Sequence, residues 1–196
     1  LMFCDHDDTL EPDALYEIVK AINDTDADVV YTDEDKVSMD GQHYFDPNFK
    51  PDFNLFRLRE NNYICHIFVV RKSLTDETGM LRSEFDGAQD FDFILLCCEK
   101  AKKITHIPKV LYHWRCHMDS TAADPSSKAY AYEAGRKAIR EHYQRMGIDA
   151  KVDMTERPGW YRSHIKVQGN PMVSIIIPNK DHTDDLELCL FSMSRK

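Results

Sequence analysis

The sequence lacks any apolar run approaching the ~20 residues that a membrane-spanning helix needs. It also lacks the charged and then apolar start of a signal peptide. We expect a cytoplasmic protein. The chain begins without an initiating Met, and we therefore expect it to be cut from a longer protein.

Positive charge and paired cysteines are scarce as well. Lys and Arg number 25 against 34 Asp and Glu, a formal net charge of -9, which argues against a nucleic-acid partner bound through its phosphate backbone. The six cysteines have no CxxC or other paired spacing. They are typical of reduced, mostly buried thiols, and they do not indicate a disulfide framework or a zinc site.

Acidic residues are abundant, and the first cluster follows directly after a short apolar run. Leu1–Phe3 leads into Asp5, Asp7 and Asp8, a pattern that predicts a strand ending in an acidic turn. Carboxylates this close repel one another unless a cation sits among them, and oxygen ligands favour Mg²⁺ or Mn²⁺. A solvated turn that caps the following helix explains the same residues equally well.

Strand and helix patterns alternate along the chain, which indicates an α/β protein with polar groups at strand ends. Asp28–Tyr31 predicts a strand that runs into a second acidic turn at 33–35. One apolar helix face is predicted from Leu15, Ile18, Val19 and Ile22. Further strands are predicted at 63–70, 104–107, 110–113, 150–154, 161–167 and 172–177, with a long helix at 124–146 and a last helix after 178.

A third acidic stretch, Asp86–Asp92, opens a strongly apolar helix. The helix dipole alone would explain Asp90 and Asp92 at this N-terminus. A helix that is apolar on most sides is buried, however. Its first turn can therefore open into an interior cleft, where the proton affinity of a carboxylate can be tuned.

Several stretches together resemble glycosyltransferase family 2, whose members have the GT-A fold. Phe3–Asp8 is similar to the strand and DxD motif of that family, and Gly87–Asp90 is similar to its ED motif, with Gln89 in place of Glu. Other stretches resemble the bacterial polysaccharide and rhamnosyltransferase-like branch of the family, namely 31–36, 49–52, 62–66 and 106–115.

The resemblance does not begin where a domain of the family begins. It implies that residues 1–168 are the C-terminal, acceptor-side half of a GT-A type, Rossmann-like nucleotide-diphospho-sugar transferase domain, and that 169–196 open a second such domain with a strand, a loop and a helix. We expect this piece to bind donor weakly and to be inactive alone. Self-association through 172–193 is a further expectation, because the predicted strand would pair with an open sheet edge.

The resemblance implies an inverting, metal-dependent transfer of a sugar from a UDP- or dTDP-sugar to an acceptor glycan in bacterial cell-surface polysaccharide synthesis. Asp7 would bind Mn²⁺ or Mg²⁺, and Asp5 would contact the donor nucleotide or support the metal. Asp90 would be the general base that takes the proton of the acceptor hydroxyl. A lipid-linked acceptor would bring the protein to the inner face of the membrane.

Further site residues are implied at Gln89 and in the stretch that follows the predicted strand at 110–113. His117 would complete the metal site, which favours Mn²⁺, although any one His is more often structural. Gln89, Trp114 and Arg115 are candidates for contacts with the acceptor or the sugar. Trp114 offers a flat apolar face for a sugar ring, and a core position explains it equally well.

Two alternative functions stay open. Asp5-x-Asp7-x-Thr9-Leu10 also resembles the nucleophile motif of the haloacid dehalogenase phosphatases, with Asp5 as nucleophile and Asp7 as acid/base, although Asp8 stands where those enzymes usually have Gly. The second alternative is a non-catalytic carbohydrate-binding module. An EF-hand loop from Asp5 is excluded, because Leu10 and Tyr16 occupy its Gly and Glu positions.

Overall fold

A computed structural model describes residues 1–116 and 129–195. Strands and helices alternate along it, which confirms the α/β class. The chain divides into two compact units, Leu1–Lys166 and Val167–Lys196. The elements of the first unit are β1 (Met2–Phe3), β2 (Thr9–Leu10), α1 (Ala14–Thr25), β3 (Val29–Val37), β4 (Tyr44–Asn48), α2 (Leu55–Leu58), β5 (Phe68–Val70), α3 (Lys72–Thr78), a 3-10 turn (Ser83–Phe85), α4 (Gln89–Lys100), β6 (Ile104–Arg115), α5 (Ala129–Arg145), β7 (Ala150–Met154) and β8 (Tyr161–Ile165).

One mixed sheet forms the centre of the first unit, in the order β1-β5-β3-β6-β2. The first half of β3 pairs with β5 and its second half pairs with β4, both antiparallel, while β6 runs parallel to β3 along the opposite edge. Strands β7 and β8 form a separate antiparallel pair.

Successive residues of β3 enter two different apolar clusters, because side chains alternate between the faces of a strand. Val29 and Tyr31 pack with residues of α4 and α5, whereas Val30 packs with Ala14 and Ile18 of α1. The sheet is therefore covered by helices on both faces, and β3 lies at the middle of three layers.

Strand β3 continues through the acidic cluster at 33–35, where the sequence predicted a turn. An extended backbone is possible here because every one of these carboxylates has a partner, which removes the cost of burying unpaired charge. The pairs are Asp33 Oδ1 with His106 Nε2 at 2.8 Å, Glu34 Oε2 with Lys50 Nζ at 3.0 Å, and Asp35 Oδ1 with His113 Nδ1 at 2.5 Å.

The predicted strand at 63–70 is shorter in the structure, where β5 covers only Phe68–Val70. The carbonyl oxygens of Ile64 and His66 accept hydrogen bonds from the buried amine of Lys50, at 2.7 Å for Ile64. These carbonyls therefore bind a lysine, and Cys65 between them has φ +30, which lies outside the extended region that a strand requires.

The two predicted strands around Pro108 are one strand, β6. Ile107 pairs with Thr32 and Val110 pairs with Asp33, so the residues around Pro108 form a bulge opposite an unbroken β3. A bulge accommodates a proline, which cannot donate to the ladder, without ending the strand.

The apolar face of α1 is rotated from the predicted one. Leu15 and Val19 are 59% and 55% exposed, whereas Ala14 and Ile18 are buried. The small side chain of Ala14 lets the helix pack closely on the sheet, and this contact decides which face is buried.

The second unit contains one helix, α6 (Thr183–Ser194), among the residues described there, at the position predicted for a last helix. The strand predicted at 172–177 is not formed. No strand of the described part of the chain pairs with it, and a lone strand leaves its backbone N–H and C=O groups without partners. The division of the chain into two transferase domains stays a prediction. Across the described residues, no helix has the length and apolarity to cross a membrane.

Candidate active site

Asp5 and Asp90 lie far apart in the chain and line the same cavity, which has a volume of about 230 Å³. Asp5 comes from the turn between β1 and β2, and Asp90 comes from the first turn of α4. Phe3 of β1 packs edge-on against Phe93 of α4, with ring centroids 5.2 Å apart. This contact holds the acidic turn beside the start of the helix.

The carboxylate of Asp90 is held through one of its oxygens. Asn62 Nδ2 donates to Oδ2 at 2.8 Å, and the thiol of Cys65 lies 3.7 Å from the same atom. Burial, followed by the charge of Asp90, raises the pKa of the Cys65 thiol well above its usual range, so the thiol stays protonated and able to donate. Within the described chain, Oδ1 of Asp90 makes no hydrogen bond, which leaves this oxygen available to a ligand.

Asp92, two residues further along α4, has a different environment. Its side chain is fully buried, and Arg82 donates to both of its oxygens, at 2.6 and 2.8 Å. A bidentate pair of this kind fixes the helix against its surroundings. Of the two acids at this N-terminus, Asp92 is structural and Asp90 lines the cavity.

His66 also lines the Asp5 and Asp90 cavity, and it was not predicted as a site residue. Its Nε2 lies 3.9 Å from Asp5 Oδ2, and its ring stacks on Tyr112 at 5.0 Å. The signal was present in the sequence, because His66 ends one of the stretches that resemble the family. The same stretch contains Asn62 and Cys65.

The acidic turn itself is fixed by backbone and side-chain contacts that use Asp8. The hydroxyl of Tyr112 and the backbone N–H of Arg115 donate to the two Asp8 oxygens, at 2.7 Å for Arg115. Burial and this bond to Asp8 raise the pKa of Tyr112. Asp8 is therefore engaged in structure, which leaves Asp5 and Asp7 as the candidate ligands of the turn.

Arg115 contacts the backbone of Asp7. Arg115 Nε donates to the Asp7 carbonyl at 2.7 Å, and Nη1 donates to the carbonyls of Ser38 and Met39. The carboxylate of Asp7 is half-buried, and Asp7 is not among the described residues that line the Asp90 cavity. The geometry gives Arg115 a role in fixing the acidic turn, and its acceptor contact stays a prediction.

The other two acceptor candidates lie close to Asp90. Gln89 lines the same cavity, and its Oε1 accepts the backbone N–H of Gly87 at 2.8 Å. Gly87 has φ +91, and a Cβ there would lie 2.8 Å from the Cβ of Ala131, so the loop before α4 requires glycine. Trp114 lines a second cavity of about 430 Å³ together with Asp90.

The donor groups of the turn fit a hard divalent cation only in part. In the described residues, no group of three His, Cys, Asp or Glu side chains is arranged to hold a metal. His117, the predicted third ligand, lies outside those residues. Two carboxylates, Asp5 and Asp7, on one turn still suit Mg²⁺ or Mn²⁺, because such ions are commonly held by one or two carboxylates and by substrate phosphate oxygens.

Acidic side chains at a strand end and at a buried helix N-terminus, brought together on one cavity, define an α/β protein with a candidate active site at the edge of its sheet. The family model described as Glycosyl transferase family 2 matches residues 1–79. This range includes the acidic turn, and over it the chain is similar to that family.

Two longer proteins match almost the whole chain. An uncharacterized protein of Sinorhizobium fredii, y4gI, is 44% identical over 193 residues, which are 96% of this chain and 21% of that protein. The O-antigen biosynthesis protein RfbC of Myxococcus xanthus is 38% identical over 192 residues, which are 97% of this chain and 15% of that protein. The chain thus spans about a fifth or less of the length of these relatives.

Solved structures of S. aureus TarS align with part of this chain. The TarS 1–349 complex with UDP-GlcNAc aligns over 69% of this chain and 40% of its own, with 19% identity and a TM-score of 0.48. The complex with UDP aligns over 72% and 46%, with 16% identity and a TM-score of 0.44.

Proposed function

We propose that this chain is the acceptor-side part of an inverting glycosyltransferase, which moves a sugar from a nucleotide-diphosphate donor to an acceptor glycan in bacterial cell-surface polysaccharide synthesis. The observation that carries the proposal is the cavity shared by Asp5 and Asp90, in a chain whose first 79 residues match the family. The similarity to a relative named for O-antigen biosynthesis supports the choice of polysaccharide.

In this proposal Asp90 is the general base. Its Oδ1 takes the proton from the acceptor hydroxyl, while Asn62 and Cys65 hold Oδ2 in place. The hydroxyl oxygen bonds to the anomeric carbon of the donor as the bond from that carbon to the diphosphate breaks. The electron pair leaves with the diphosphate, and in-line attack inverts the carbon.

Asp7, with Asp5 beside it, would hold Mn²⁺ or Mg²⁺ at the acidic turn, and His117 is proposed as a further ligand. The ion, when bound, would supply positive charge opposite the departing diphosphate. Asp5 would also contact the nucleotide. Trp114 would lie against a sugar ring, because it borders the cavity that Asp90 lines.

The proposal extends to the parts of the function that lie outside this site. Because the chain covers 21% and 15% of its relatives, we propose that donor binding needs additional sequence and that these 196 residues are inactive alone. We also propose a cytoplasmic location, at the inner membrane face where the acceptor is lipid-linked. Residues 172–193 are proposed to associate with another copy, which sedimentation of this chain with and without those residues would test.

The central experiment measures release of nucleoside diphosphate from a panel of UDP- and dTDP-sugars by the full-length protein, with Mn²⁺ or Mg²⁺ and a glycan acceptor. We expect turnover that depends on the metal and is lost in Asp90→Asn and Asp7→Asn. Asp149→Asn, at an exposed surface position, is the control and should keep full turnover. Metal-independent turnover would contradict the proposed role of the acidic turn.

The same variants separate the alternatives. A phosphatase would hydrolyse p-nitrophenyl phosphate with Mg²⁺, lose this activity in Asp5→Asn and retain it in Asp90→Asn. A carbohydrate-binding module would bind sugar without metal and show no turnover. Either result would replace the transferase proposal.

A further inference from the structure

We propose that Arg57 and Arg157, held against Trp160, form a binding site for an anionic group of a sugar chain, either a carboxylate or a phosphate. The site borders a cavity of about 430 Å³ that both arginines and Trp160 line, a volume within the range of ligand-binding clefts. The assignment of the sugar chain to the acceptor rests on the proposed function, whereas binding of the anion does not.

The two guanidinium groups share one aromatic ring. Arg57 Cζ lies 4.3 Å from the centroid of the Trp160 ring, and Arg157 Cζ lies 4.6 Å from it. Contact with an aromatic ring fixes the plane of a guanidinium and leaves its N–H donors at the edges. Two like charges are thereby held beside one ring, and an anion bound near them would offset their repulsion.

Neither arginine has an anionic partner among residues 1–116 and 129–195. Across the described part of the chain, the guanidinium groups of Arg57 and Arg157 make no ion pair and no hydrogen bond. The carboxylates that line the same cavity are already engaged elsewhere. Glu34 is paired with Lys50, Asp35 with His113, and Asp46 with Lys36.

This charge distribution selects the chemistry of the ligand. Among the described residues of the cavity wall, the positive charges without an anionic partner are these two planar groups. They match carboxylate and phosphate oxygens through paired N–H donors. A neutral sugar would leave the two charges uncompensated. The expected ligand is therefore a uronic acid or a phosphorylated sugar.

The position of the site connects it with Asp90. The arginine cavity and the larger cavity lined by Asp90 share Asn61 and Trp114 as wall residues. A glycan with one hydroxyl at Asp90 would thus pass Trp114 and place a neighbouring unit near Trp160. On the transferase proposal, the arginine pair would select acceptors that carry negative charge next to the reacting sugar.

The test uses the two tryptophans of the chain, whose indole N–H groups give two NMR signals that Trp160→Phe assigns. Glucuronate and glucose 1-phosphate are titrated into the protein, with glucose as the neutral probe. We expect saturable shifts of the Trp160 signal by at least one of the anions, weakened by salt, and none by glucose. The double variant Arg57→Gln/Arg157→Gln should raise the Kd at least tenfold, and Arg140→Gln, an exposed arginine outside the cavity, should leave it unchanged.

The outcomes separate the sources and the proposals. A response to glucuronate alone or to the phosphate alone identifies the anion, whereas equal shifts with glucose, or an unchanged Kd in the double variant, overturn the site. Arg57→Lys/Arg157→Lys keeps the charge and serves if the Gln variant unfolds, and we expect it to bind more weakly than the parent because lysine lacks the paired donors. Since Asp90→Asn should bind the anions normally, loss of transfer and loss of anion binding are distinguishable results.

Discussion

The acidic stretch of β3 and the acidic residues around the Asp90 cavity contain the same residue types in opposite environments. In β3, each carboxylate from Asp33 to Asp35 is paired with a buried lysine or histidine. Around the cavity, Asp5 is exposed and Asp90 is held through one oxygen by neutral donors. The difference indicates that the first group holds the fold together, while the second group is available to a ligand.

Lys50 shows what the paired group does. Its side chain is fully buried, and it joins Glu34 of β3 to the carbonyls of Ile64 and His66. The same lysine therefore positions the segment that supplies Asn62, Cys65 and His66 to the cavity. The paired carboxylate of Glu34 thus affects the site indirectly, because its partner Lys50 fixes the backbone of this segment.

The largest expected effect is on transfer activity, from a change at the cavity residue Asp90. Asp90→Asn should lower transfer by the full-length protein about 10²- to 10⁴-fold, the usual contribution of a general base, and should leave thermal unfolding unchanged. The measurement is kcat with a nucleotide sugar and glycan. A variant that loses stability as much as activity would place Asp90 with the paired carboxylates instead.

A substitution among the paired residues of β3 and their partners should change stability instead of activity. Lys50→Met removes the partner of Glu34 and should lower the free energy of unfolding by about 3 kcal/mol, because a buried carboxylate is left uncompensated. Urea denaturation measures this. Lys20→Met, in an exposed pair with Asp24, is the matched control and should change stability by less than about 0.5 kcal/mol.

The two aspartates of α4 give the sharpest comparison. Asp92→Asn should destabilise the protein by about 2 to 3 kcal/mol through the loss of its pair with Arg82, at the low end for a broken buried pair because Arg82 is 31% exposed. Thermal denaturation of Asp92→Asn and of Asp90→Asn tests this difference in stability. Equal melting temperatures for the two variants would remove the distinction between them.

A smaller effect is expected from the residue that orients the base. Asn62→Ala removes the donor to Asp90 Oδ2 and should lower kcat about tenfold, with little change in KM, since a hydrogen bond to a charged group contributes about 1.5 kcal/mol. Steady-state kinetics at several pH values measure it. If Asn62→Asp kept parent activity, the amide would have no part in positioning the base.

The smallest effect concerns pH and Glu99, a carboxylate of α4 that is paired with His142 and Arg145. Burial alone would raise the pKa of Glu99, but hydrogen bonds from His142 and Arg145 lower it below the ordinary value of 4.5. Its stabilising contribution is therefore complete above pH 4.5 and is lost as the pH falls through the lowered pKa. Glu99→Gln should flatten this acid-side loss of stability, whereas Glu156→Gln, at an exposed position, should leave the pH profile unchanged.

The sequence predicted the α/β class, the acidic turn after β1 and the start of α4, because apolar periodicity and residues such as Gly87 act locally. It did not predict that Asp33–Asp35 lie inside a strand, since their partners come from distant segments. Long-range pairing likewise set the burial of α1 and the length of β5. The roles of Asn62, Cys65 and the arginine pair were missed because a half-paired carboxylate or a guanidinium without a partner becomes visible only when the neighbours are placed.

The parallel pairing of β3 with β6 has a consequence for the order of assembly. Parallel neighbours need a long crossover, and here the intervening chain contains β4, β5 and α4. During synthesis β3 can therefore pair with β4 and β5 first. Asp33 and Asp35 can form their pairs only after His106 and His113 have left the ribosome. Glu34 can already pair with Lys50 at that stage, whereas two aspartates of β3 lack their partners until β6 has been synthesised. Contacts of such high sequence separation slow folding.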